Sequence, residues 1–168
     1  MTRIENRFTL PLERKDLTVE RGWDPELARQ LVVRSKEDEI RKYARRDARD
    51  RFPNERAASE WYKSKGHVVY ALGQKAALEG VAWFSQESKP GIDAQYTFAI
   101  RMYEAQRGHG LAGAFLEATH KDFETHKRYE GKLWLAVDEA NQRARRFYEK
   151  HGYVVVRTEG DRLLMVRE

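Results

Sequence analysis

The chain contains no cysteine. That excludes disulfides, thiolate metal sites and any covalent route through an enzyme thiol, and it fits a reducing compartment. No apolar run approaches membrane-spanning length, and the segment Met1-Thr2-Arg3-Ile4-Glu5-Asn6-Arg7 lacks the apolar core of a secretory leader, so a cytoplasmic location is expected. There are only four prolines, and no repeat or low-complexity tract divides the 168 residues, so one domain is expected. Charge of a single sign is also lacking: 32 Lys and Arg face 27 Asp and Glu, for a net charge of +5. The two signs alternate, as in Glu37-Asp38-Glu39-Ile40-Arg41-Lys42, which reads as a solvated helix face rather than a nucleic-acid stripe.

What is present suffices for a core, with 40% apolar and 11% aromatic residues. Leu17 to Glu20 predicts a strand. Asp24-Pro25-Glu26 supplies a capping oxygen, a proline at the first helical position and a carboxylate at the positive dipole end, so a helix starts there with Leu27, Leu31 and Val32 inward. Residues 36 to 51 are expected to be helical, and Pro53-Asn54 separates them from a short helix ending at Gly66. His67 to Leu72 and Ala77 to Phe84 read as a hairpin about Gly73-Gln74-Lys75-Ala76, and Gln95 to Met102 as a further strand. A helix is predicted from Gly110 to His126, with Leu111, Phe115, Ala118 and Asp122 or Phe123 at helical spacing. Leu133 to Val137 is the next strand, Asn141 to His151 a helix stopped by Gly152, and Tyr153 to Val156 and Arg162 to Val166 two closing strands. The sum is an α+β protein with a mixed, mostly antiparallel sheet.

The chemistry concentrates where a strand meets a helix, at Tyr103-Glu104-Ala105-Gln106-Arg107-Gly108-His109-Gly110. A helix start presents unpaired N–H groups and a positive dipole end, Gly108 and Gly110 let the backbone approach an anion, and Arg107 adds a cation. The bland alternative is a glycine-rich connection. A sharper rival is the dinucleotide fingerprint, since Gly108-x-Gly110-x-x-Gly113 matches it and Asp138 ends the next strand. In that fingerprint the first glycine follows the strand almost at once, whereas residues 103 to 107 intervene here, and the tail ends in two strands with no helix between them.

Arg107-x-x-Gly110-x-Ala112 resembles the acetyl-CoA signature of the GNAT N-acetyltransferase superfamily, and Asn141-x-x-Ala144-x-x-Phe147-Tyr148-Glu149-Lys150-His151-Gly152-Tyr153 is similar to that family's second signature. The resemblance covers residues 67 to 166 and implies a three-layer fold with helices flanking the sheet. It further implies that backbone groups of Ile100 and Met102 hold the pantetheine arm, that residues Arg107, Gly108, His109, Gly110, Leu111 and Ala112 hold the pyrophosphate, and that Asn141 faces the cofactor. Asn141 as a plain helix cap and Tyr148 as core packing are the alternatives. Acyl transfer to an amine needs a neutral amine, a stabilised oxyanion and a proton for the thiolate. By resemblance Tyr148 donates that proton, and an N–H near Ile100 binds the oxyanion.

The general base stays open among Glu79, Asp93, Glu104 and a water chain ending on Tyr96 or a backbone carbonyl. His109 reads as an exposed loop residue, and His120 and His126 are six apart, the wrong spacing for a helical metal pair, so no metal site is expected. The expected activity is transfer of acetyl from acetyl-CoA to a primary amine of a small molecule, peptide or protein, by direct attack in a ternary complex. A non-catalytic acyl-CoA sensor and a basic nucleic-acid-binding module are the alternatives. The expected partners are acetyl-CoA and an amine, with no membrane, and a homodimer is left open.

Overall fold

A computed structural model describes residues 3–9, 17–74, 77–104 and 110–168. Eight strands form one sheet: β1 (Arg3–Thr9), β2 (Thr18–Trp23), β3 (Val68–Gln74), β4 (Ala77–Gln86), β5 (Tyr96–Met102), β6 (Leu133–Asp138), β7 (Val154–Glu159) and β8 (Arg162–Arg167). Their spatial order is β1-β2-β3-β4-β5-β6-β8-β7. Every pairing is antiparallel except β5 with β6. This is the mixed, mostly antiparallel sheet expected, and it is incompatible with a parallel dinucleotide fold.

Helices cover both faces. On one side lie α1 (Pro25–Arg34), α2 (Asp38–Tyr43) and α3 (Glu55–Lys63); on the other lie α4 (Leu111–Lys127) and α5 (Gln142–Lys150). Strand alternation sorts the core accordingly. Phe84, Phe98, Ile100, Leu135 and Met165 pack against Phe115, Leu116 and Phe123 of α4. Val69, Val81 and Trp83 face Leu27, Leu31 and Phe52. The start of α1 is as its sequence predicts, with Asp24 accepting from the Leu27 N–H at 2.7 Å. Its inward face comprises Leu27, Ala28 and Leu31, while Val33 is exposed. Along α4 the polar choice at the sheet edge is Asp122, which accepts from Tyr70 (2.7 Å), Arg21 (2.6 Å) and Asn6 (2.8 Å) and so ties α4 to β1, β2 and β3.

One expectation is corrected and one element is added. Arg3–Thr9 forms an edge strand that the charged pattern of those residues did not announce. Residues 36 to 51 are not one helix: α2 stops at Tyr43, Ala44 takes φ −129° and ψ 50°, and a single π-turn follows at Asp47–Arg51. Most of this charge is solvated, as expected, but Asp47 is not. Asp47 is 1% exposed and accepts from Arg101 (Nε to Oδ2, 2.8 Å) and Arg51 (2.9 Å). Both guanidiniums also lie over the Trp83 ring, Arg101 at 4.9 Å and Arg51 at 5.6 Å. The wide turn brings Asp47 and Arg51 inward together, and the Phe52 N–H closes it on the Asp47 carbonyl. The hairpin between β3 and β4 is present, with residues 75 and 76 outside the described set.

His120 is buried beneath the sheet, its Nδ1 2.8 Å from the Leu116 carbonyl and its Nε2 2.8 Å from the Tyr153 hydroxyl. A carbonyl only accepts, so Nδ1 carries the proton and Nε2 accepts from Tyr153. Burial pulls its pKa down to about 3, with the Arg167 charge adding to the effect. The unfolded value is about 6.5, so the neutral ring's contribution to stability is present above that pH and is lost as the pH falls toward the folded value. Between pH 7 and pH 5 this one group should cost about 2 kcal/mol. Urea denaturation of a His120→Gln variant should show that much less difference between the two pH values. Removing the Asp47 carboxylate by Asp47→Ala leaves two guanidiniums without their shared counter-charge and should cost about 3 kcal/mol in the same assay.

Candidate active site

The site arises where the sheet divides. β5 and β6 pair only at Tyr96 with Leu133 and Thr97 with Trp134. Beyond these, β5 follows β4 to the Met102–Gly80 pair and β6 follows β8 to the Asp138–Arg162 pair, so the two strands diverge. The parity of the hydrogen bonds decides what faces the gap. Glu87 N–H donates to the Gln95 carbonyl and Tyr103 N–H to the Glu79 carbonyl, so odd-numbered residues at both ends of β5 exchange bonds with β4. Alternation then directs the N–H and C=O of Phe98, Ile100 and Met102 toward the diverging β6. Side chains of Thr97, Ala99 and Arg101 point to the α1–α3 face instead, opposite Phe98 and Ile100.

A cavity of about 760 Å³ occupies this gap and reaches both faces of the sheet. On the α5 side it is lined by Asn141, Ala144, Phe147 and Tyr148, and on the other by Trp83, Arg101, Arg162 and residues 43–46 and 49–51. A second hollow of about 470 Å³ adjoins it, and Met102, Ala112, Arg143 and Phe147 line both. Residues Gly110 to Ala114 at the start of α4 form its floor, and Lys150 and His151 its far wall. Gly110 precedes α4 in the left-handed region, φ 72°, a conformation that favours glycine, and among the described residues no side chain caps the helix. The first N–H groups of α4 are therefore open to the hollow. Arg143, Phe147 and Lys150 recur at helical spacing along α5, and neither cation has a carboxylate partner among the described residues. Open N–H groups and these two cations suit an anion, and Glu117, which also lines the hollow, is engaged by Arg167 and His151. Gly113 has a different reason: a Cβ there would lie 2.9 Å from the His151 ring, where α5 crosses α4.

Tyr148 is 7% exposed, packed between Phe147 and Tyr153, and its hydroxyl has no hydrogen-bond partner among the described residues. Burial raises its pKa, opposed by the charges of Arg101 and Arg162, so the phenol keeps its proton at neutral pH. Asn141 caps α5, accepting from the Ala144 N–H at 3.1 Å, and it also lines the cavity. Ile100 and Met102 border the gap, Ala112 lines both spaces, and the Leu111 side chain turns into the core. Arg107, Gly108 and His109 lie outside the described residues. None of Glu79, Asp93, Glu104 or Tyr96 lines the cavity; Glu104 instead offers its N–H to Glu37, and Tyr96 packs edge-to-face with Phe123 and Tyr129.

Sequence reasoning missed Arg101, Arg162, Asp47 and Arg143. Arg101 left the one available trace, a charge in the middle of the apolar strand Tyr96–Met102. Arg101 Nη1 donates at 3.0 Å to the Ile100 carbonyl, one of the groups facing the gap. Among the described residues no group of three or more His, Asp or Glu could hold a metal, and no helix is long and apolar enough to cross a membrane.

Comparison with known proteins accords with this architecture. A family model described as the acetyltransferase (GNAT) family matches residues 36–153, which is most of the chain. The chain belongs to the GNAT acetyltransferase family. No curated protein matches the sequence. Solved structures share the GNAT fold at low identity. AAC(6')-Ib in complex with paromomycin and acetyl-CoA aligns with TM-score 0.71 and 17% identity over 90% of this chain and 93% of that one. A spermidine N-acetyltransferase SpeG mutant from Vibrio cholerae aligns with TM-score 0.69 and 16% identity over 90% and 92%. A protein from Bacillus halodurans aligns with TM-score 0.74 and 10% identity over 96% and 90%. Capping by Asn141 can be separated from any ligand contact within this GNAT site. Asn141→Ala should cost about 1 kcal/mol in thermal or urea unfolding, and Asn141→Asp should restore most of it by supplying another capping oxygen.

Proposed function

We propose that the protein transfers an acetyl group from acetyl-CoA to a primary amine of a small molecule, peptide or protein, by direct attack in a ternary complex. The observation that carries this reading is the gap between β5 and β6. It joins an anion-binding hollow to a cavity on the opposite face and passes the buried Tyr148 hydroxyl. Family membership and the acetyl-CoA in the AAC(6')-Ib complex support it.

The N–H groups at Gly110 to Ala112, with Arg143 and Lys150, suit the pyrophosphate and phosphate of the donor. Outward N–H and C=O groups of Ile100 and Met102 suit the amides of a pantetheine arm extending along β5, with Asn141 and Phe147 on its other side. Acetyl-CoA supplies an activated thioester; the protein's part is to place it and manage protons. Tyr148, neutral and facing the cavity, is the proton donor for the departing sulfur. The Ile100 N–H is the donor for the oxyanion. The charges of Arg101 and Arg162 disfavour an ammonium beside Tyr148, so an amine bound there is easier to deprotonate, which reduces what is asked of a general base.

The reading is tested by thermal shift with acetyl-CoA, CoA and NAD, followed by thiol release with amines. Acetyl-CoA at a hundred times its dissociation constant should stabilise the protein by about 2.7 kcal/mol, and NAD should not. Tyr148→Phe should lower kcat about 100-fold while leaving the affinity for CoA unchanged. Stabilisation by NAD alone would overturn the assignment of the donor. CoA binding without turnover of any amine would favour a sensor built on the same fold.

A further inference from the structure

The cavity on the α1–α3 face, where the acceptor would enter, holds its charges unevenly. Most of its acidic groups are engaged by neighbours; Asp138, which also lines it, has no ion-pair partner among the described residues. Asp50 pairs with Arg49 and Arg46, Glu87 with Lys65, and Glu159 with Lys89 and Arg157. Asp47 alone serves both Arg51 and Arg101, which leaves a net positive charge in that cluster. Glu39 is engaged as well. Arg45 reaches Asp161 at 3.7 Å.

Arg162 is the exception among the cations at the reacting end. It is half-buried at the start of β8, lines the cavity and donates one Nη to the Ala136 carbonyl at 2.9 Å. No carboxylate lies within ion-pair distance of it among the described residues. Its cross-strand neighbour Asp138 comes no closer than that, and one Asp138 oxygen is occupied by the Ala140 N–H at 2.9 Å. The surroundings are unfavourable to this cation. Burial lowers its pKa first, and Arg101 and Arg46 lower it further, outweighing the opposing charges of Asp138 and Asp161. A guanidinium offers five N–H donors in a fixed fork, and only one contact is made here. Arg162 and Tyr148 line the same cavity, and the Arg162 charge acts on the Tyr148 phenol.

We infer that the acceptor is a small amine bearing a carboxylate, an amino-acid type of molecule, whose carboxylate is received by Arg162 while its amine sits beside Tyr148. This deepens the acetyl-transfer reading and rests on it. The same cavity disfavours a polycation such as a polyamine, because all but one of its carboxylates are already engaged and its residual charge is positive. A bidentate guanidinium–carboxylate pair in a half-buried setting supplies both affinity and orientation, because it fixes the direction from the carboxylate to the neighbouring amine.

The experiment measures thiol release from acetyl-CoA with the twenty standard amino acids, the corresponding decarboxylated amines, spermidine and kanamycin. It is run alongside calorimetric titration of acetyl-CoA. At least one amino acid should be acetylated with kcat/KM roughly tenfold or more above its decarboxylated counterpart, the scale of one charge-assisted pair. Arg162→Gln, which keeps a donor for the Ala136 carbonyl, should bring the two members of that pair close to parity at an unchanged acetyl-CoA dissociation constant. Arg162→Lys should recover part of the preference. Three results would overturn the inference: decarboxylated amines or spermidine used as well as or better than amino acids, no amino acid used at all, or a preference that survives in Arg162→Gln. Each of these with normal acetyl-CoA binding overturns the acceptor class alone. Failure of the wild-type protein to bind acetyl-CoA overturns the donor assignment, and the acceptor class falls with it.

Discussion

The two-residue length of the β5–β6 ladder governs the rest of the site. A parallel pair that continued would bond the Ile100 and Met102 backbone to β6 and leave no space between the layers. Because the strands part after Thr97 and Trp134, backbone groups that a sheet normally consumes remain available at mid-sheet, where water and ligands are otherwise excluded. Open backbone in a folded core is costly unless something satisfies it. Arg101 answers part of that need, since its guanidinium donates to the Ile100 carbonyl. Arg101 is in turn fixed by Asp47 and the Trp83 ring. The gap, the buried ion cluster and the π-turn therefore form one connected arrangement.

That arrangement sets the electrostatics. Two guanidiniums share one buried carboxylate, and a third, Arg162, stands nearby with a carbonyl as its one hydrogen-bond partner among the described residues. The resulting positive field lies on the α1–α3 side of the gap, whereas on the α5 side the helix start and the α5 cations provide a second positive region around the adjoining hollow. The two regions meet at Tyr148, whose burial keeps its proton in place although neighbouring cations pull the other way.

The sequence revealed elements governed by local rules. Asp24-Pro25, Asn141 and Gly110 mark helix starts because capping and left-handed geometry are decided within a few residues. The β-branched and aromatic runs of β3 and β4 announced their hairpin for the same reason. The two family signatures led to Tyr148, Asn141 and the α4 start. What escaped was set by distant partners. Arg3–Thr9 becomes a strand because β2 offers it an edge, and its alternating charges give no periodic apolar signal. Asp47 sits in Arg45-Arg46-Asp47-Ala48-Arg49-Asp50-Arg51, a run that reads as solvent-exposed until Arg101, 54 residues away, claims its carboxylate. Register between β5 and β6 has no sequence correlate, so the gap itself was not legible from local pattern.

The alternation along β5 divides its labour by parity. Main-chain groups of the even residues Phe98, Ile100 and Met102 face the gap, and side chains of the odd residues Thr97, Ala99 and Arg101 face the opposite layer. Main-chain contacts are indifferent to side-chain identity, so under the proposed reading the grip on a common donor would be insulated from replacements at the odd positions. One strand can thus hold a fixed cosubstrate on its backbone while exchanging the surface it shows to the other reactant, which lets a single scaffold change acceptors without rebuilding its donor site.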